Sequence, residues 1–450
     1  MQPNNTSRRD FLGKAAAGIS ALSAAEQLSA RAARAAGART IGANDRVNLA
    51  VIGVGGMGFG HVRQLVRRSQ EKDDVRLAAV SDIYTRRKKR AQDFAKLAEK
   101  DVHHDYRELL ARSDVDAVVI ATPDHWHARQ ALDALEAGKD VYLQKPMSYT
   151  IEEAREIAQA VDRTGRVLQV GSQHTSDLRY HRAREVIEKG WIGAPLWAQG
   201  TYSRNSVYGE WNYRIEDDGT EPNIDWKAFL GSAPKRPFSQ DRYFRWRKYW
   251  DYSGGIATDL LYHKLAPLLL AAGPQFPARV TAQGGIYVHK DREVPDTYTT
   301  TVEYESFYVA MSSSMANGYA DTGLRDVIYG HEASIQFFPG YILVNPEPQS
   351  RKKFQDATGQ AELRIEVEKQ ELGDDHMENF LGAVRSRKQP ILNARFGYQV
   401  MAAIRLGVDS YRQNRLMAFD PKAEKVVKNA PKRPAYEGAG KNVEEPKPPA

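Results

Sequence analysis

A glycine-rich stretch near the start of the chain restricts its possible folds more than any other feature. Residues 47–54 form a short, mostly apolar run rich in β-branched side chains, and the sequence GVGGMG occupies 53–58. A helical pattern of apolar residues comes next. A buried strand, a tight glycine turn and a helix in this order are typical of a dinucleotide-binding unit. The stretch therefore predicts an α/β domain with a parallel sheet.

The residues of this glycine loop have separate roles in such a unit. Gly53 permits the tight turn, Gly55 lets the backbone approach a pyrophosphate, and Gly58 lets the helix pack closely on the strand. Gly56 and Met57 complete the loop, where the helix N-terminus offers free N–H groups to the phosphates. We predict that all five residues bind the cofactor.

Asp82 ends the second predicted strand and bears on the choice of dinucleotide. Its carboxylate can accept hydrogen bonds from both ribose hydroxyls, and it repels the 2′-phosphate of NADP. The basic run at 86–90 could instead bind that phosphate, although a basic run on a helix is more often solvated. The sequence favours NAD and leaves NADP possible.

The chain divides into two folded domains. Strand and helix patterns alternate from residue 47 to about residue 170, which predicts a parallel sheet covered by helices. From residue 278 onward, strand-like runs separated by turn residues predict one large, mostly antiparallel sheet. We predict four segments: a signal peptide at 1–38, a Rossmann dinucleotide-binding domain at 45–170, a C-terminal α/β domain for substrate binding and oligomerisation at 171–420, and a flexible tail at 421–450.

The N-terminal sequence TSRRDFLGKAAAGISAL is typical of a twin-arginine export signal, which carries folded proteins across a membrane. No apolar run approaches the ~18–20 residues of a spanning helix, so we expect no stable membrane insertion. The chain has no cysteine, which excludes disulfides, thiolate nucleophiles and Cys-ligated zinc. We expect a periplasmic or otherwise exported bacterial protein that uses the twin-arginine machinery.

The net charge of +7 does not indicate a nucleic-acid partner. Residues 1–40 contribute +4 and residues 421–450 contribute +3, so the stretch 41–420 is neutral overall. Nucleic-acid binding needs a basic face that displaces counterions from phosphates. The folded body has no such excess, and we predict a small-molecule substrate.

Four further motifs occur after the glycine loop: ATPDHWHA, YLQKPMS, VGSQ and GGIATDLLYH. Their order resembles that of the Gfo/Idh/MocA family, which includes glucose–fructose oxidoreductase and inositol dehydrogenase. The resemblance covers about residues 46–420. It implies a Rossmann domain followed by an α/β domain with a large open sheet, a nicotinamide cofactor, a sugar or cyclitol substrate, and a homodimer or homotetramer.

The resemblance also implies catalytic residues. The family's Glu-Lys-Pro motif falls on Gln144-Lys145-Pro146, and Lys145 would lie near the nicotinamide and the reacting hydroxyl. The family's Asp-x-x-x-His motif falls on Asp259 and His263, which share one face if the segment is helical. His263 suits proton transfer from a hydroxyl. Asp259 would orient His263 or bind the substrate.

Gln144 departs from the family's glutamate. An amide does not hold Lys145 protonated as a carboxylate would, so the pKa of Lys145 could be lower than in relatives. In that case Lys145 could itself act as a base. The alternative is that Gln144 has the same structural role as the glutamate.

Further cofactor contacts are expected from the other motifs. Thr122, Pro123, His125 and His127 come from ATPDHWHA, at the edge where the cofactor lies, and Gln173 comes from VGSQ. Gln144 and Lys145 complete this set. His125 and His127 could suggest a metal, but two histidines at i and i+2 are weak evidence, and we predict no metal site.

Aromatic residues concentrate between positions 191 and 250, which hold six of the seven tryptophans. Aromatic faces stack on sugar rings, but cores and subunit interfaces are also rich in aromatics. We expect most of them to pack and two or three to line the pocket. Arg204, Arg245 and Arg247 lie among them and could bind hydroxyls or carboxylates.

Export and cofactor chemistry together limit the possible functions. A periplasmic enzyme has no nicotinamide pool, so a cofactor bound before export has to be regenerated on the enzyme. The sequence therefore predicts an NAD(P)-dependent oxidoreductase that acts on a sugar or cyclitol and recycles a tightly bound cofactor. The alternative is a glycoside hydrolase or lyase that oxidises the sugar transiently. A non-catalytic sugar-binding protein is the third hypothesis, and the retained Lys145 and His263 disfavour it.

Overall fold

The computed structural model describes residues 46–319 and 324–430. The predicted signal peptide and residues 431–450 of the predicted tail lie outside the described residues. Within the described part, the chain forms two α/β domains, each built on one sheet. No helix in these two ranges is long and apolar enough to cross a membrane.

The N-terminal domain is built on six parallel strands: β1 Val47–Ile52, β2 Val75–Ser81, β3 Val102–His103, β4 Ala117–Ile120, β5 Asp140–Gln144 and β6 Leu168–Gly171. They pair in the order β3-β2-β1-β4-β5-β6. The helices between them are α1 Gly56–Lys72, α2 Thr85–Ala95, α3 Tyr106–Leu110, α4 Asp124–Glu136 and α5 Ile151–Thr164. Nearly every residue of β1 and β4 is buried, as parallel sheets require. The predicted Rossmann architecture is confirmed.

The C-terminal domain contains a ten-stranded sheet. Its strands are β7 Pro195–Thr201, β8 Arg279–Gly285, β9 Thr297–Glu303, β10 Tyr308–Ser314, β11 Val327–Gly330, β12 Ala333–Phe338, β13 Tyr341–Pro346, β14 Leu363–Glu366, β15 Met417–Asp420 and β16 Lys425–Val427. The order is β14-β13-β12-β11-β7-β10-β9-β8-β15-β16. All neighbours are antiparallel except β7 and β10. The predicted large, mostly antiparallel sheet is confirmed.

Helices cover one face of this sheet. The helices of the domain are α6 Leu178–Glu188, α7 Trp226–Leu230, α8 Gln240–Phe244, α9 Tyr262–Ala272, α10 Arg351–Thr358, α11 Leu372–Ser386 and α12 Ala394–Gln413. Burial alternates along β9 and β12, so one side of each strand faces the core. Helix α12 packs on β8 and β9, and α9 packs on β7 and β10. Helix α12 also packs on α5 of the Rossmann domain. The two domains therefore share a core.

The prediction of a flexible tail from residue 421 was wrong for the first residues of that range. Asp420 accepts hydrogen bonds from the backbone N–H groups of Lys422 and Ala423, which forms a turn. Strand β16 follows this turn and pairs with β15 at the edge of the sheet. The two valines of β16 suit a strand, which the lysine-rich composition of the region concealed.

Residues 202–255, which we call the bridging segment, join β7 to a short π-helix at Ala257–Leu261 that runs into α9. The segment packs on the loop after β2. Thr85 donates its backbone N–H to the Asn223 carbonyl at 3.1 Å, and Asp225 donates to the Ile83 carbonyl at 3.1 Å. Much of the predicted aromatic cluster therefore forms a core around Tyr84, with Ile224, Trp226, Phe229, Leu230, Tyr243, Phe244 and Tyr252.

Candidate active site

The carboxyl ends of the Rossmann strands bring the predicted motifs to one edge of the sheet. The glycine loop follows β1, Asp82 follows β2, and Thr122 follows β4. Lys145 follows β5, and Gln173 comes after β6. In doubly wound sheets this edge is where ligands bind, at the point where the strand order reverses. The strands β1 and β4 flank that point here.

The glycine loop has the shape that a dinucleotide requires. Gly53 has a φ of +82°, in the left-handed region that favours glycine. A Cβ atom at Gly58 would lie 1.7 Å from the Gly53 carbonyl oxygen, so no side chain fits there. The space around Gly56 is open, and Met57 is half exposed. The loop thus presents the N-terminus of α1 to any group that occupies this space.

Asp82 ties the end of β2 to the glycine loop. One carboxylate oxygen accepts the backbone N–H of Val54 at 2.8 Å, and the other accepts that of Tyr84 at 2.9 Å. Two arginines of the basic run also reach the loop: Arg90 donates to the Val54 carbonyl at 2.7 Å, and Arg87 lies beside Gly55. The surroundings of the glycine loop at the end of β2 therefore contain both the carboxylate that favours NAD, on Asp82, and two cations that could contact phosphate, Arg87 and Arg90.

Lys145 forms a buried ion pair with Asp259. Its ammonium donates to Asp259 Oδ1 and to the Asp259 backbone carbonyl, both at 2.7 Å. The side chains are 8% and 9% exposed. Burial lowers the pKa of Lys145, and the nearby Arg247 lowers it further, against the opposing effect of Asp259.

Asp259 is held by three donors. Besides Lys145, Oδ1 accepts Nε–H of Arg247 at 3.0 Å, and Oδ2 accepts the indole N–H of Trp211 at 2.8 Å. Burial alone would raise the pKa of Asp259, but Lys145 and Arg247 outweigh it and hold that pKa well below the usual carboxyl range. Asp259 is therefore a permanent anion.

His263 lies one turn after Asp259, at the start of α9. Its Nδ1 shares a hydrogen bond with Ser172 Oγ at 3.0 Å, and its ring contacts His174 and Tyr202. Ser172, rather than Asp259, thus holds the ring, because the donors around Asp259 occupy its carboxylate. Burial and the charge of Lys145 lower the pKa of His263 well below the ordinary histidine value. A neutral imidazole can accept a proton.

The ATPDHWHA motif covers the loop after β4 and the first turn of α4, and contacts to backbone carbonyls fix it in place. His127 places one ring nitrogen 2.6 Å from the Pro146 carbonyl and the other 2.8 Å from the Thr122 carbonyl. The Lys145–Pro146 peptide is cis. His125 Nε2 lies 2.8 Å from the Phe229 carbonyl of the bridging segment. Pro123 precedes α4 directly. Both histidines therefore connect the first turn of α4 to other parts of the site: His127 to the segment after β5, and His125 to the bridging segment.

The remaining predicted contacts have protein partners. Gln144 donates its amide N–H to His61 Nε2 at 2.6 Å, and His61 Nδ1 donates to Gln64 at 3.2 Å. Burial lowers the pKa of His61 to about 4. The side chain of Gln144 thus faces α1, and the charge that Lys145 contacts is Asp259. Gln173 donates to the Tyr142 hydroxyl at 3.2 Å.

Asp124 is a second buried carboxylate that the sequence interpretation missed. It accepts the hydroxyls of Ser253 and Thr258, each at 3.1 Å. Burial raises its pKa to about 6. A signal for it existed, because Asp124 lies in ATPDHWHA and Thr258 lies in GGIATDLLYH. The contacts of Trp211 and Ser172 were also missed. Trp211 belongs to the predicted aromatic cluster and Ser172 to VGSQ, but nothing in the sequence marks Asp259 or His263 as their partners. Across residues 46–319 and 324–430, no three His, Asp or Glu side chains are grouped to hold a metal ion.

Two family models match the chain. The first, described as the NAD-binding Rossmann fold of an oxidoreductase family, covers residues 47–172. The second, the C-terminal α/β domain of that family, covers residues 231–419. Together they account for well over half of the chain.

Similar proteins of known name agree with this assignment. Inositol 2-dehydrogenase of Salmonella paratyphi B is 31% identical over 36% of this chain and 47% of its own length. The chain thus spans about half the length of such relatives. The uncharacterized oxidoreductase YrbE of Bacillus subtilis is 34% identical over 64% of this chain and 70% of its own length.

Solved structures share the fold. The structure of levoglucosan dehydrogenase in complex with NADH has a TM-score of 0.62 and 20% identity, and the match covers 83% of this chain and 98% of that one. The family models, the relative aligned over most of its length and the shared two-domain architecture agree. The chain belongs to the Gfo/Idh/MocA family of oxidoreductases.

Proposed function

We propose that this protein is an NAD-dependent oxidoreductase that oxidises a hydroxyl group of a sugar or cyclitol on a dinucleotide that stays bound between turnovers. The carbonyl group of a second sugar then accepts the hydride from the reduced dinucleotide. The observation that carries the proposal is the Lys145–Asp259 pair next to His263. This pair lies at the sheet edge that also carries the glycine loop. Inositol 2-dehydrogenase and levoglucosan dehydrogenase, named among the similar proteins, support a polyhydroxy substrate.

The dinucleotide fits the residues present. Residues 53–58 would hold its pyrophosphate against the N-terminus of α1, where the space around Gly56 is open, and Asp82 would bind the ribose. When bound, the dinucleotide supplies the hydride acceptor. The carboxylate of Asp82, at the end of β2, favours NAD over NADP because it would repel a 2′-phosphate.

Oxidation of a hydroxyl requires a group that accepts its proton. Lys145 and His263 both have pKa values lowered by burial, which favours their proton-accepting forms. Asp259 stays ionised, and its carboxylate already accepts bonds from Lys145, Arg247 and Trp211. We therefore assign proton transfer to Lys145 and His263, and we assign to Asp259 the positioning of Lys145.

Export with the cofactor already bound is part of the proposal. Its support is the twin-arginine sequence at the N-terminus together with the bridging segment. This segment packs on the loop after β2 through Asp225, and on the first turn of α4 through the Phe229 carbonyl, which His125 and Trp126 both contact. A cofactor enclosed in this way would survive transport into a compartment that does not supply it.

A homodimer or homotetramer is proposed as well. The face of the large sheet opposite the helices carries a stack of three aromatic side chains: Trp197 lies 5.7 Å from Tyr308 and 4.1 Å from Tyr329 between ring centroids. Aromatic residues are enriched in subunit interfaces. Sedimentation of the purified protein tests this assignment, and a monomer at all concentrations would contradict it.

The decisive experiment needs no added cofactor. The purified mature protein is denatured, the supernatant is assayed enzymatically for dinucleotides, and native protein is incubated with sugars and glycosides for product analysis. We expect NAD in the supernatant and an oxidised sugar among the products. The absence of any dinucleotide would refute cofactor retention. Release of an aglycone without net oxidation would instead assign transient oxidation followed by bond cleavage.

A further inference from the structure

Two buried cations next to His263 share a single carboxylate. Lys145 and Arg247 both donate to Asp259 Oδ1, at 2.7 and 3.0 Å. The other oxygen accepts the neutral indole N–H of Trp211. This charged cluster, Lys145, Arg247 and Asp259, therefore holds two positive charges and one negative charge when Lys145 is protonated.

The other acidic groups nearby do not pair with these cations. Asp124 is within electrostatic range of Arg247, but its hydrogen bonds come from the hydroxyls of Ser253 and Thr258. Within the described residues, no ion pair shorter than 4.0 Å joins Asp124 to Lys145 or Arg247. The excess positive charge is therefore only partly balanced.

Arg204 adds a further cation to the surroundings of the cluster. It lies within electrostatic range of both Asp259 and His263. Its hydrogen-bond partner is the neutral hydroxyl of Tyr202, at 2.8 Å. Glu210 acts on Arg204 from a distance, without an ion pair between them in the part of the chain that the structure describes.

Arg247 carries the permanent positive charge of the cluster. A lysine can lose its proton when burial makes the charge costly, whereas a guanidinium stays charged in proteins. The side chain of Arg247 is 24% exposed, against 8% for Lys145 and 9% for Asp259, so it is the member of the cluster that an arriving molecule can reach. Only its Nε–H is used by Asp259, which leaves the two terminal nitrogens as donors.

Planar pairs of N–H donors match carboxylates in geometry and charge. We infer that the substrate is a sugar acid, a uronate or aldonate, whose carboxylate pairs with Arg247 while its reacting hydroxyl lies at Lys145 and His263. This inference rests on the proposed function and specifies its substrate. A neutral sugar would leave the two terminal nitrogens of Arg247 without an anionic acceptor, because Asp259 accepts only its Nε–H.

The test compares matched neutral and acidic sugars. Methyl glycosides of gluco, galacto and manno configuration are offered beside the corresponding methyl uronides. The second-order rate constant for reduction of the bound cofactor is measured in single turnovers. We expect wild-type protein to prefer the uronide of at least one pair by ~10–100-fold, the range of one charge-assisted contact. Arg247→Gln should abolish this preference, and Arg247→Lys should restore part of it.

Arg236→Gln is the matched control, because Arg236 lies in the same bridging segment and pairs with Asp251 instead of the cluster. Its preference for uronides should equal that of wild-type protein.

Oxidation of neutral glycosides at equal or higher efficiency by wild-type protein would overturn the inference, whether or not the variants fold. This outcome would leave the proposed function standing. The inference would also be overturned if the protein oxidised no sugar of this set but cleaved glycosidic bonds or oxidised other polyols. A protein with no bound dinucleotide would contradict the proposed function itself.

Discussion

Replacing Asp259 by Asn removes the one negative charge that balances Lys145 and Arg247, with little change in shape. Lys145 loses an anion at 2.7 Å, and an opposite charge at such a distance shifts a pKa by about 1–3 units. The pKa of Lys145, already lowered by burial, should therefore fall by that amount, which corresponds to ~1.4–4 kcal/mol. Lys145 then loses its proton at lower pH.

The pH dependence of cofactor reduction measures this change. In wild-type protein the rate of hydroxyl oxidation rises as Lys145 loses its proton, and in Asp259→Asn this rise should move to lower pH by about 1–3 units. The maximum rate should also fall, because Asp259 positions the ammonium through two hydrogen bonds. A rise that stays at the wild-type pH, or moves upward, would refute the role of Asp259 as the counterion of Lys145.

Stability provides an independent measure of the same variant. Breaking a buried ion pair typically costs ~3–5 kcal/mol in the free energy of unfolding. Since the folded-state pKa values of Asp259 and Lys145 both lie below their values in the unfolded chain, this loss should be largest between the ordinary carboxyl pKa and the folded pKa of Lys145. It should shrink as pH rises through the folded pKa toward the ordinary lysine value. Asp140→Asn, which breaks the Arg387–Asp140 pair at the other end of β5, is the control. It should lower stability without moving the pH–rate curve.

Three further changes test other parts of the site. Lys145→Met and His263→Ala should each lower the rate of hydride transfer by ~10²–10⁴-fold while the dinucleotide remains bound, and near-wild-type turnover would remove that residue from the mechanism. Gln144→Glu should raise the pKa of His61 above about 4, because a carboxylate would replace the amide 2.6 Å from its Nε2. NMR titration of His61 measures that pKa, and an unchanged value would show that the side chain at 144 turns away. Gly58→Ala should yield protein without dinucleotide, because the new Cβ would lie 1.7 Å from the Gly53 carbonyl oxygen; bound NAD in this variant would contradict the geometry of the glycine loop.

Local patterns predicted most of the fold. The apolar run of β1 and the glycines after it predicted a strand, a turn and a helix because each signal lies within a few residues. Alternating burial in strands such as β9 and β12 likewise reflects a period of two that can be recognised in sequence. The end of the large sheet was missed because β16 is three residues long and lies among lysines.

The partners inside the site were less accessible to prediction. Trp211 and Arg247 reach Asp259 from the bridging segment, which has little regular structure. The sequence indicated Arg247 as a possible carboxylate ligand, but no periodicity identified Asp259 as its partner. The sequence suggested that position 144 sets the charge of Lys145, since the two residues are neighbours. Consecutive strand residues point to opposite faces, however, and Gln144 contacts His61 on α1. The hydrogen bond between Ser172 and His263 depends on how the end of β6 packs near the start of α9, and neither motif predicts that packing.

We propose that one site holds a dinucleotide and reduces it by oxidising a sugar hydroxyl that lies beside Lys145. The most direct measurement mixes purified mature protein, without added dinucleotide, with the matched glycosides and uronides and records the absorbance of reduced nicotinamide. We predict a single-turnover rise in wild-type protein that is lost in Lys145→Met, although both release the same amount of dinucleotide on denaturation. An equal rise in both proteins, or none in wild-type protein that carries NAD, would contradict the account.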